Sequence, residues 1–276
     1  MQYFIGFLIA LFIALTGVGA GTVTVPVLVL FLGVPAPAAV GIGLMFASAV
    51  KLILVPAQIV RRNIAWRTLG FMLLGGLPGV ILGSFFLKRL ASASSDIVLD
   101  AILGAILVTS AGWQLLFSFR PIKRHAGRLD RSFILPWLMF PVGAEVGFSS
   151  AGAGALGSAA LLSLTPLAPA QVVGTDIAFG FVISVIGSGA HWFSATSHAD
   201  LLLALILGGA AGAVTGVILS THIPRQPLRI ALWTWLLILG VQFLMNSYQA
   251  RAAAHKAVDP TRALIQQIPP AEIWNK

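Results

Sequence analysis

Cysteine is absent from the 276 residues, so neither a disulfide nor a thiolate metal site can form. Charge is scarce: Lys, Arg, Asp and Glu make up 9% of the chain, and only eight residues are acidic. So few charged side chains cannot clothe a soluble domain of this size. Also missing are a phosphate loop, a paired-histidine zinc motif and a serine–histidine–aspartate arrangement in readable context. These absences speak against ATP drive by this chain, against a metal or other cofactor, and against an enzyme.

What is present is apolar surface. Hydrophobic residues form 58% of the chain, and the mean hydropathy is +0.97. Uncharged windows of about 20 residues, each able to cross roughly 30 Å of hydrocarbon, recur along the sequence. The expected class is an all-α polytopic membrane protein, with the lipid bilayer as its first partner. A net charge of +9 would suggest nucleic acid in a soluble protein. Here it reads as basic loops on the cytoplasmic side, and no nucleic-acid partner is expected. The opening "MQYFIGFLIALFIAL" lacks a basic stretch and a clean cleavage site, and reads as a retained first helix.

Apolar spans fall at about 3–32, 39–61, 66–87, 97–119, 133–164, 171–193, 199–220 and 226–249. The first and fifth are too long for one crossing, and each contains a glycine cluster. A shift of 133 residues lays Gly19-Ala20-Gly21 on Gly152-Ala153-Gly154 and Val40-Gly41 on Val173-Gly174. The same shift lays Gly75, Gly76, Gly79 and Gly83 on Gly208, Gly209, Gly212 and Gly216. The expected organisation is a first transmembrane repeat (1–119), a basic connecting loop (120–132), a second repeat (133–249) and a hydrophilic tail (250–276).

Counting Lys and Arg sets the expected orientation. With eight crossings and a cytoplasmic N-terminus the inside segments hold 12 and the outside loops four, Lys51 lying within a span. If spans one and five are re-entrant hairpins, the halves become inverted and the best split is 10 against six. The count favours eight crossings with both termini cytoplasmic, and the inverted arrangement stays open.

Two groups of residues carry the chemistry. "TGVGAG" (16–21) and "SSAGAG" (149–154) break their helices inside the membrane, which hydrocarbon tolerates only where protein or a cavity satisfies the backbone. The helix restarting after each break points free N–H groups and a positive dipole end inward, as an anion site requires. Thr16, Gly19, Ala20, Gly21, Ser149, Ser150, Gly152, Ala153 and Gly154 are the candidate binding residues; close helix packing is the plainer reading of the glycines. In the sixth span Asp176, Gly180, Ser184, Gly187 and His191 share one helical face. Their partners under the shift are Gly43, Ala47, Lys51, Leu54 and Gln58. Lys51 is expected to offset an anion's charge, and Asp176 and His191 to exchange protons. A structural Lys51–Asp176 ion pair and an interfacial His191 are the plainer readings. Glu145, just before the second break, is assigned no role. The stripes Gly75/Gly79/Gly83 and Gly208/Gly212/Gly216 read as helix-packing surfaces.

At "GVGAGTVTVPVLVLFLGVPAPAAVG" (17–41), "VVGTDIAFGFVISVIGSGAHW" (172–192) and "LILGGAAGAVTG" (205–216) the chain resembles the TauE/SafE family of bacterial membrane exporters. The resemblance covers about 10–245. It implies export of a small anion, sulfite or an organosulfonate, across the bacterial inner membrane by alternating access. An anion channel and a membrane assembly factor are the other readings, and a homo-oligomer is left open. The halves differ: "VGIG" (40–43) stands opposite "VGTD" (173–176), and Pro26 opposite Ala159. That makes an asymmetric site, centred on Thr175 and Asp176, the expectation.

Overall fold

The computed structural model describes residues 1–16, 19–93, 96–118, 130–151, 154–219 and 225–266. Among these every regular element is helical: α1 (Gln2–Thr16), α2 (Ala20–Leu32), α3 (Ala36–Val60), α4 (Trp66–Ala93), α5 (Asp96–Ser118), α6 (Leu135–Ser149), α7 (Ala155–Leu164), α8 (Pro169–Ala190), α9 (Trp192–Thr196), α10 (Ala199–Leu219) and α11 (Arg225–Gln266). Seven helical stretches are long and apolar enough to cross a membrane. Large apolar side chains such as Leu74, Ile81, Phe85, Leu207 and Ile218 are exposed, as lipid-facing groups should be. The protein is an all-α, multi-pass membrane protein.

Local sequence explains the ends. Gly33 closes α2 at φ 66°, a left-handed conformation that costs glycine nothing, while the Val34 N–H reaches back to Leu28 O at 3.1 Å. Proline starts α3, α6 and α8, where a missing N–H is harmless. Both overlong spans break where their glycines cluster. Thr16 ends α1 and Gly19 precedes α2. Ser149 ends α6, Ser150 adopts φ 60°, and Gly154 precedes α7 at φ 124°.

The breaks turn the chain back. Arg131 N donates to Leu164 O at 2.9 Å, so α6 starts where α7 ends. α6 with the turn Ser132–Ile134 before it makes one of the seven long apolar stretches, whereas α7, at 10 residues, reaches about 15 Å, short of a crossing. Helix directions agree. Gly41 lies against His191, Gly187 against Leu44 and Gly174 against Asn63, so α3 and α8 run antiparallel. Gly104 beside Phe243 and Gly240 beside Val108 make α5 and α11 antiparallel too. Gly75, Gly79 and Gly83 run along Pro136, Phe140 and Ala144, so α4 and α6 are parallel, and Gly208 and Gly212 follow Tyr3 and Phe7 likewise, so α10 and α1 are parallel. For α1 and α3 to share a direction, α2 must return.

This packing speaks for the inverted arrangement left open by the sequence and against the eight crossings that charge counting favoured. Eight crossings require α3 and α8 to point the same way, and their packing is head to tail. Hydropathy cannot tell one long span from two short helices meeting at a glycine.

Candidate functional site

α3 and α8 cross through the middle of the molecule, and the crossing brings their polar faces together. Lys51 is buried on α3, and its Nζ donates to Ser184 Oγ on α8 at 3.3 Å. Ser184 Oγ in turn donates to Gly180 O at 2.6 Å. Lys51 and Ser184 are 133 residues apart, so each meets its own counterpart under the sequence shift.

Toward the face bearing the 61–65 loop lies Asp176. Ser158 Oγ on α7 donates to its Oδ2 at 2.8 Å, and a Cβ at Gly157 would collide with its Oδ1. The carboxyl therefore lies over the first turns of α7. Thr175, its neighbour, is fully buried and accepts the Ala65 N–H at 3.0 Å, just ahead of α4. Its hydroxyl is committed to holding a helix start.

Toward the opposite face lies the second break. Ser150 packs so closely on α2 that a Cβ at Gly21 would overlap its carbonyl and hydroxyl. A Cβ at Gly43 on α3 would stand 3.1 Å from the same Oγ. Ser150 Oγ is buried and has no hydrogen-bond partner among the described residues. Neighbouring hydroxyls are occupied. Thr16 Oγ1 donates to Phe12 O at 2.6 Å, Thr22 Oγ1 to Gly19 O at 2.5 Å and Ser149 Oγ to Glu145 O at 2.9 Å. Neither Gly19 nor Gly154, the residues before α2 and α7, supplies a side-chain cap. His191 closes this end, buried at the foot of α8 with Nε2 3.3 Å from Gly147 O.

The crossing thus has Gly21 and Ser150 toward one end of α3 and α8, and Thr175 and Asp176 toward the other, with Lys51 between; Gly19, Ala20 and Ser149 adjoin the first pair in the chain, and Gly154 stands before α7. Gly152 and Ala153 lie outside the described residues. Sequence reasoning placed Ser184 on the polar face without making it a lysine partner, and missed Ser158 altogether. A serine in the first turns of α7 gives no sign that it faces α8, 18 residues further on. Among the described residues no group of three or more His, Asp and Glu could hold a metal ion.

Residues 3–243 match the family described as Sulfite exporter TauE/SafE. A relative from Bacillus subtilis (strain 168), Probable membrane transporter protein YjnA, is 28% identical over 211 residues, covering 73% of this chain and 82% of its own length. No solved structure matches. With a break, a buried lysine and a polar crossing in place and the family pattern running across nearly its whole length, this chain belongs to the TauE/SafE family of membrane transporters.

Proposed function

We propose that the protein is a secondary transporter exporting a small sulfur oxyanion, sulfite or an organosulfonate, by alternating access. The family description supports the substrate class and direction. The carrying observation is Lys51, an ammonium buried within the bundle whose hydrogen bond goes to a hydroxyl 3.3 Å away. A cation kept inside a membrane protein at that cost marks an ion path.

In this reading the oxyanion binds between Lys51 and the start of α2, where uncapped N–H groups and Ser150 Oγ point at it. Asp176 covers the start of α7, so the anion uses one helix start and the proton-coupling carboxyl the other. The asymmetry is retained, but Thr175 is a structural cap and the anion's share moves to Ser150. His191 joins the proton path at the opposite end.

The halves are proposed to be inverted repeats related by a two-fold axis in the membrane plane, passing near Lys51 and Ser184. Antiparallel α3/α8 and α5/α11 support this. Arg61, Arg62, Arg67, Arg120, Lys123, Arg124, Arg128, Arg131, Arg225 and Arg229 then belong to one face, and Lys88, Arg89, Arg251, Lys256, Arg262 and Lys276 to the other. The richer face is assigned to the cytoplasm, which puts both termini on the other side.

The test is labelled sulfite flux in proteoliposomes. Lys51→Met should abolish flux while the protein still inserts and elutes as a single species. Unaltered flux would remove Lys51 from the site.

A further inference from the structure

Away from the crossing, a cavity of about 690 Å³ opens between α4, α5, α6 and α7. Its walls are Phe86, Ile102, Ile106, Phe148 and Leu156, with Trp113 at one edge. Phe86 and Trp113 are exposed on the lipid-facing surface, so the cavity opens sideways to the bilayer. α5 packs mainly on α11 and only lightly on α4 and α6, which leaves the space between them.

Glu145 lines this largely apolar cavity, together with the hydroxyl residues Thr109 and Ser110. Ser110 Oγ is turned toward the Glu145 carboxyl, but the pair does not close to hydrogen-bond geometry, and neither Glu145 Oε1 nor Ser110 Oγ has another partner among the described residues. Two buried oxygens without partners are costly, about 1–3 kcal/mol each, unless something else supplies a donor. Glu145 lies in the latter half of α6 and Ser110 past the middle of α5, both about 15–20 Å from their helix starts, hence at mid-membrane depth. A lipid headgroup does not reach there. Under the 133-residue shift the counterparts of Glu145 and Ser110 are Phe12 and Phe243. The polar pair belongs to one half alone and is no relic of the two-fold plan.

We propose that this cavity is a lateral binding site for a lipophilic ammonium: an amine whose apolar body fills the aromatic walls and whose N–H groups bond Glu145 and Ser110. The carboxyl complements the charge, and the membrane-facing mouth admits a molecule that partitions into lipid first. The site is separate from the anion path and does not depend on what the protein transports.

The experiment uses the full chain in phosphatidylcholine vesicles and reads bromine quenching of Trp113, assigned by difference against Trp113→Phe. 11-Bromoundecylamine should quench at about tenfold lower membrane concentration than 11-bromoundecanol, the worth of one charge-assisted hydrogen bond. Glu145→Gln should bring the two probes together. Ile106→Phe, which fills the cavity from α5 and leaves the carboxyl in place, should remove the amine's advantage and leave only the quenching that exposed Trp113 suffers from any probe dissolved in the bilayer. Equal quenching by amine and alcohol in the unaltered protein would reduce the cavity to an acyl-chain groove. An amine preference surviving Glu145→Gln, or surviving Ile106→Phe if the glutamine variant fails to fold, would overturn the proposal.

Discussion

A lysine within hydrocarbon costs roughly 2.5–3.5 kcal/mol on insertion scales, and one hydrogen bond of 3.3 Å to Ser184 recovers little of it. Ser150 is a second local expense. A non-glycine residue at φ 60° gives up about 1–2 kcal/mol, and its buried hydroxyl bonds nothing among the described residues. A bound oxyanion would offset both costs, pairing with the ammonium and accepting from the hydroxyl. Ser150→Ala and Ser150→Gly both delete the hydroxyl, but only glycine relieves the backbone. Both should raise the KM for the anion by about five- to tenfold, while the glycine variant alone gains thermal stability, read by melting in detergent. A serine that is merely structural would change melting without changing KM. Asp176→Asn keeps the shape beside Ser158 and removes the exchangeable charge. Flux in vesicles should then lose its response to an imposed pH gradient. Undiminished, gradient-following flux of the anion would instead favour a channel.

At the scale of helices, the glycine stripes do what their spacing announced. Gly79 lies against the Phe140 carbonyl and Gly212 against that of Phe7, contacts that any Cβ would break. Gly79→Leu should part α4 from α6 and lower stability by about 1–3 kcal/mol, whereas leucine at Gly70, which faces open space, should leave melting unchanged. The stripes were legible because four-residue spacing has one mechanical meaning on a helix. The breaks were legible too, since glycines inside an overlong span leave backbone groups that lipid will not satisfy. The path of the chain beyond each break was not. Whether it continues or turns back depends on contacts such as Arg131 N to Leu164 O, made between residues whose sequence gives no hint of their meeting. For the same reason the crossing of Lys51 with Ser184 was visible as two matching faces, while Asp176 with Ser158 was not.

The direction of the second half is decided by the whole molecule. Charge counting separated the two arrangements by only a few residues, because the basic tail and the Arg225–Arg229 region change sides together. The absence of cysteine makes a direct measurement clean, since each introduced thiol is the sole target. Arg62 follows α3 and Ser197 lies between α9 and α10, both exposed. With eight crossings these two positions share a face, as both follow an even-numbered span. With re-entrant hairpins and antiparallel α3 and α8 they lie on opposite faces. In vesicles of uniform orientation, a membrane-impermeant maleimide should therefore label Arg62→Cys from one side and Ser197→Cys from the other. Labelling of both from the same side would restore eight crossings, and would also separate the two helix starts from the shared depth at which one anion meets Lys51.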